Sequence, residues 1–184
     1  PIDITSFTNG VGTVEVGTTV NNIDLDWTLS KTPATQSLNQ GIGSLATATR
    51  DYTASGTYTS SITFTLTVSD GTSSDNASTT ASFQHRRYWG SSANTSLTDP
   101  QVLGLTKEFS SSRVQSRTLS PSAQYVYFAY PTSFGAATFT VNGLLNNAWT
   151  LVQRSVVNAS GHSEPFNIYR SDNLLTGTYQ IAIS

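Results

Sequence analysis

The polar run VNASGHSEPF holds Asn158, Ser160, His162 and Glu164 close together between two β-patterned segments, with Tyr169 and Arg170 a few residues on. Such a group would line a shallow carbohydrate site, where aromatic faces meet sugar C–H groups and amides meet hydroxyls. Plain turn chemistry in a connecting loop accounts for the same residues. A second concentration, SFQHRRYWG, places Arg86, Arg87, Tyr88, Trp89 and Gly90 side by side in a chain with only 11% charged residues. These could stack a sugar or a base. The reading preferred on sequence is a seam: the segment ends a first unit, an Arg stem lies across an aromatic face, and Gly90 supplies a corner.

Other reactive types are sparse. His85 and His162 are the only histidines and lie far apart, with no paired-His spacing, so no metal site and no cofactor is expected. Serines abound, but no GxSxG elbow marks one as a nucleophile. Asp24 and Asp26 share the outward face of one strand, about 7 Å apart by the two-residue repeat. That spacing suits paired carboxylates, yet glycosidase chemistry needs one of them raised in a cleft, and an exposed acidic strand that discourages edge pairing explains both. Asp70 and Asp75 in SDGTSSDN offer oxygens for Ca²⁺ but lack the EF-hand spacing and its closing Glu, which favours a polar hairpin loop.

The elements that would carry these residues are β-strands. In NIDLDWTLS, Ile23, Leu25, Trp27 and Leu29 alternate with Asp24, Asp26, Thr28 and Ser30, and in SITFTLTVSDG, Ile62, Phe64, Leu66 and Val68 alternate with threonines. Asp70-Gly71 turns this strand back into NASTTASFQ. Shorter Gly-bounded runs precede them, giving the strand count of an immunoglobulin-like sandwich without its Cys pair. Beyond Trp89 the texture changes. Thr98 or Asp99 as N-cap with Pro100 at the first helical position predicts a short helix or turn reaching about Glu108. Strand patterning then resumes in QYVYFAYP, AATFTVNGL, AWTLVQRSVV, FNIYRS and GTYQIAIS, with a turn at Asn142-Gly143. Because Val126, Phe128 and Tyr130 alternate with Tyr125, Tyr127 and Ala129, that strand is central and covered on both sides, or packs on a partner. The fold class is therefore all-β: an N-terminal immunoglobulin-like β-sandwich over 1–88, then a second β-sandwich-like domain with a short helical insertion over 89–184.

Composition agrees with that reading. At 36% hydrophobic and 10% aromatic the chain can bury cores despite its Ser and Thr content. A net charge of −2 argues against a duplex nucleic-acid partner. No run approaches the roughly 20 apolar residues of a membrane-spanning helix, so no membrane insertion is expected. The start PIDITSF, with no initiator Met, reads as that of an excised or processed piece.

The series ITSFT, VEVGTTV, LDWTLSKTPATQSL, TFTLTVSDG and SFQHRRYWGSS resembles an Ig-like module of phage virion proteins that closes on a basic-aromatic YWG segment. The later runs YVYFAYPTSFGAATFTVNG, AWTLV and VNASGHSEPFNIYRSDNLLTGTY look like the terminal domain that follows such a module in phage tail or spike proteins. Nearly the whole chain is covered, by structural signatures that include no catalytic constellation. The resemblance implies a non-enzymatic virion appendage of tail fibre, baseplate or spike, extracellular at the virion surface. It would contact other virion proteins or sister subunits, as in a homotrimer, and bind a host cell-surface glycan or protein. The alternative from another class is a carbohydrate-binding module or weak depolymerase domain of a secreted bacterial protein.

Overall fold

The computed structural model describes residues Pro1–Ser184 and divides into two compact units, Pro1–Phe83 and Gln84–Ser184. Strands β1 (Ile4–Asn9), β2 (Thr13–Glu15), β3 (Val20–Leu29), β4 (Thr35–Leu38), β5 (Gly43–Leu45), β6 (Asp51–Tyr58), β7 (Ile62–Ser69) and the first part of β8 (Ser74–Ser92) build unit 1. One sheet is ordered β1-β3-β6; the other runs β5-β4-β7-β8, with β2 also paired to β8. Strands 1, 3 and 6 opposite strands 4, 7 and 8 is the immunoglobulin-type arrangement.

Period-two alternation decides which way each strand faces. On β3, Ile23, Leu25 and Trp27 are buried while Asp24, Asp26 and Thr28 are exposed; on β7, Phe64, Leu66 and Val68 are buried. These residues meet Leu38 and Ala81 in a single core. The outward hydroxyls pair across strands, Thr63 with Thr80 and Thr65 with Ser78 at 2.8 Å, Thr5 with Thr28 at 2.6 Å. Such pairs contribute a few tenths of a kcal/mol each, which is how a surface so poor in charge still favours sheet.

One polar group is carried into this core. Gln36 of β4 is buried; its Oε1 accepts the Trp27 indole N–H at 3.3 Å, and its Nε2 donates to the carbonyls of Thr49, at 3.0 Å, and Ala46. Trp27 lies on β3 in one sheet and Gln36 on β4 in the other. The side chain thus hydrogen-bonds from sheet to sheet while holding the 46–49 loop.

Asp70 anchors the β7–β8 hairpin. Its carboxylate accepts the N–H groups of Thr72 (2.9 Å) and Ser73 (2.7 Å) and pairs with Lys31 Nζ at 2.5 Å, and Gly71 takes the positive φ the turn demands. Asp75 is spent on the backbone N–H of Ile4, at 2.7 Å, and of Asn76. The oxygens considered for Ca²⁺ thus bind protein donors. Lys31 first, then the Ser73 and Thr72 amides, hold Asp70 well below the usual carboxylate range. A depressed carboxylate stabilises the fold above its unfolded pKa of about 4, and that contribution is lost as pH falls below it. Asp70→Asn is therefore expected to lower the urea midpoint at pH 6. The gap to the parent should shrink progressively below about pH 4; a gap constant with pH would refute the assignment.

Unit 2 takes over the remainder of β8, which continues as strand to Ser92. It adds helix α1 (Asp99–Leu103), β9 (Thr106–Ser110), β10 (Gln115–Leu119), β11 (Ser122–Pro131), a 3₁₀ turn (Thr132–Phe134), β12 (Phe139–Val141), β13 (Leu144–Leu145), β14 (Trp149–Val157), β15 (Ser163–Ser171), β16 (Leu175–Thr176) and β17 (Tyr179–Ile183). One sheet is ordered β14-β15-β11-β8, with β9 also on β8 and β16 on the start of β11; the other is β10-β17-β12-β13. β11 is central and apolar on both faces. Val126, Phe128 and Tyr130 pack with Phe139, Ile181 and Ile183 of the second sheet. Tyr127 and Ala129 pack with Tyr88, Phe166 and Ile168, under Val102 of α1 and Leu97. The Asn142-Gly143 turn appears as expected, both residues at positive φ.

The helix is shorter than the sequence reading. Gln101 Oε1 accepts the Thr98 N–H at 2.9 Å and Pro100 opens the helix, but Gly104 closes it after Leu103. Glu108 lies in β9, paired with Arg87 of β8. Thr106 and Phe109 favour strand, and β8 offers an edge for them to complete. No helix in the chain is long and apolar enough to cross a membrane.

Charge divides unevenly between the units. Unit 1 carries seven Asp/Glu against two Lys/Arg, net −5, and unit 2 four against seven, net +3.

Candidate functional site

The segment 86–90 is neither a corner nor a strand end. Arg86, Arg87, Tyr88, Trp89 and Gly90 lie inside β8; Arg86 to Trp89 pair with β9 on one side and Tyr88 to Gly90 with β11 on the other. Arg87 pairs with Glu108, its Nε 2.6 Å from Oε1, and Arg117 also pairs with Glu108 while covering the Trp89 ring at 3.6 Å. Burial alone would raise the Glu108 pKa; the two guanidiniums outweigh it and hold the group low. Arg86 lies over the Phe109 ring at 3.9 Å, and Tyr88 is buried against Phe166. The aromatic faces proposed for stacking a ligand are therefore occupied from within unit 2. Gly90 is closely approached: a Cβ there would meet Leu105 Cδ2 at 3.0 Å, so the Leu105 side chain would have to shift by a few tenths of an ångström. That neighbour is distant in sequence, so the residue read as a backbone corner.

The six residues 158–170 do not form one surface. Asn158 is buried and its Oδ1 accepts the N–H groups of Ser160 (2.9 Å) and His162 (3.0 Å), closing the turn before β15. Glu164 pairs with His85 Nδ1 at 2.9 Å, and the His85 ring meets Phe134 edge-on. Tyr169 is buried: its hydroxyl accepts the Ala137 N–H at 2.9 Å and its ring packs against Tyr130 and Phe139. Arg170, the next residue on the strand, projects from the opposite face. Tyr169 belongs to a core, and Arg170 lines a separate pocket on the other face of the strand.

That pocket, of about 280 Å³, is built on the face of β14, β15 and β11 that bears Thr150, Val152, Arg154, Ile168, Arg170 and Tyr127, and residues 95–97 close it. The ladder fixes the arrangement, pairing Thr150 with Arg170, Val152 with Ile168 and Arg154 with Phe166. An apolar middle row is thus bracketed by one guanidinium at each end. Arg154 is neutralised by Asp99, whose other oxygen accepts the Val157 N–H at 3.0 Å, so Asp99 is held below its ordinary pKa first by that amide and then by Arg154. Arg170 has no carboxylate partner. Its Nη1 donates to the Thr95 carbonyl at 2.6 Å, its guanidinium lies 4.8 Å from the Tyr125 ring centroid, and its buried Nε has no hydrogen-bond partner. Tyr127, paired with Arg170 across β11 and β15, also lines the pocket; its hydroxyl donates to Asn94 O at 2.6 Å and burial raises its pKa.

Of these residues only Arg170 was singled out on sequence. Spacing holds a usable signal: Thr150, Val152 and Arg154 at alternate positions, and Ile168 with Arg170, mark a face with polar ends and an apolar centre. Asp24 and Asp26 stay on the exposed face of β3 beside Asp51 of β6, with Thr53 Oγ1 donating to Asp24 at 2.6 Å.

No family model matches the sequence, and no curated protein does. Among solved structures, the chain is similar to the N-terminal eight immunoglobulin domains of Down syndrome cell adhesion molecule, at 13% identity and TM-score 0.29. The match covers 95% of this chain and spans 23% of that one. It is also similar to a tandem of titin immunoglobulin domains, at 12% identity and TM-score 0.27, covering 100% of this chain and 89% of that one.

Proposed function

We propose that the chain is a non-enzymatic display module of a virion appendage, a phage tail or spike protein. In this reading it docks on other virion proteins or sister subunits and attaches to the host cell surface through unit 2. One observation carries the attachment role: every carboxylate of unit 2 has a partner inside the unit, while Arg170 faces an open pocket without one. Asp99 is held by Arg154, Glu108 by Arg87 and Arg117, Glu164 by His85, and Asp172 by the Thr150 hydroxyl at 2.7 Å. General acid catalysis needs a carboxyl whose pKa is raised toward neutrality, whereas Asp99 and Glu108 are held low. A guanidinium without a carboxylate partner, beside apolar lining residues, suits binding. The phage assignment rests on the sequence resemblance.

The test is competition: soluble chain added to host cells is expected to reduce virion adsorption, and deleting it from the appendage to abolish adsorption. Unchanged adsorption in both experiments would remove the attachment role. The second reading, a carbohydrate-binding module or weak depolymerase of a secreted bacterial protein, is favoured by the same pocket. Release of reducing ends from host polysaccharide, lost on Glu164→Gln, would select the depolymerase.

A further inference from the structure

We infer that the pocket on β14 and β15 binds one acidic sugar residue, with Arg170 as counter-ion to its carboxylate. The inference rests on the attachment reading for its biological setting but on geometry for its chemistry. A volume of about 280 Å³ sits at the small end of ligand pockets, which run from roughly 300 Å³ upward, so it suits a single ring and not a chain. The centre is apolar, with Val152 and Ile168 side by side and the buried Tyr127 in the neighbouring row, and offers a surface for the C–H face of a pyranose. Thr95 and Ser96 also line it and bring hydroxyls to the pocket that a sugar ring can use, while the Thr150 hydroxyl is donated to Asp172.

Charge sets the ligand's sign and its direction. Arg154 and Arg170 stand four register positions apart along the paired strands, about 13 Å by strand rise. Asp99 cancels the first, which leaves the Arg170 end positive, in a unit whose net charge is +3. The Thr95 carbonyl and the Tyr125 ring fix the Arg170 guanidinium in place, so little order remains to be gained on binding. A planar guanidinium matches a carboxylate in geometry as well as charge. A neutral sugar would leave that charge unanswered.

Methyl β-glucuronide, methyl β-glucoside and acetate, titrated separately into the intact chain by ligand-observed NMR, test the assignment. The glucuronide is expected to bind in the millimolar range, about tenfold or more tighter than the glucoside and than acetate, and more weakly as salt is raised. Arg170→Gln is expected to bring the glucuronide down to the glucoside's level. Val152→Glu, at a position 48% exposed, should abolish glucuronide binding without touching Arg170, and it decides the matter if Arg170→Gln folds poorly. Equal binding of acid and neutral sugars, absence of binding by the glucuronide, acetate as tight as the glucuronide, or indifference to both variants would overturn the proposal. Adsorption separates the two readings. Competition by a chain that ignores glucuronide removes only the sugar assignment, whereas glucuronide binding by a chain without effect on adsorption removes the attachment reading.

Discussion

Phe128→Ala is expected to destabilise unit 2 by about 3–5 kcal/mol. Phe128 is fully buried at the centre of β11, with its ring 5.9 Å from those of both Phe139 and Trp149. Those two are themselves stacked at 4.1 Å, so the deletion opens a void beneath a packed aromatic pair that cannot collapse into it. Urea unfolding followed by near-ultraviolet circular dichroism measures the loss. A change under about 1 kcal/mol would mean that the two sheets of unit 2 do not meet at Phe128.

Gln36→Ala is expected to remove about 2–4 kcal/mol from unit 1. The substitution leaves the Trp27 N–H, the Ala46 carbonyl and the Thr49 carbonyl without their shared partner. Unmade hydrogen bonds of buried groups are the expensive kind, more so than the net value of the bonds when formed. Gln36→Glu is the informative companion, since it retains the acceptor for Trp27 while removing both donors. It should unfold at least as readily as Gln36→Ala at neutral pH, because a carboxylate facing two carbonyls in a core is penalised further. Trp27 fluorescence under urea reports both. If both variants match the parent midpoint, the sheet-to-sheet hydrogen bonds do not hold unit 1 together.

The strands were legible because their cause is local. Ile23, Leu25 and Trp27 on β3, and Phe64, Leu66 and Val68 on β7, show the period of two directly, and Asn142-Gly143 declares its turn through the φ values it tolerates. What escaped was set by neighbours remote in the chain. Gly90 is closely approached by Leu105, and Glu108 joins a strand because β8 presents an edge. Tyr169 and Arg170 were grouped as neighbours in sequence, although the strand period separates them onto opposite faces. The pocket joins residues 150–154 to 168–170 through the pairing of β14 with β15, and residues 95–97 through hydrogen bonds from Arg154 and Arg170, a juxtaposition invisible to any short window.

The Gln36–Trp27 contact also bears on the redox conditions under which this sandwich can form. Immunoglobulin domains often join their sheets with a cystine, a bond that forms only under oxidising conditions. Here the tie is an amide against an indole in a chain with no cysteine, so it needs no oxidation to form and no thiol can reduce it. The stability of unit 1 is therefore expected to be the same with and without a thiol reductant.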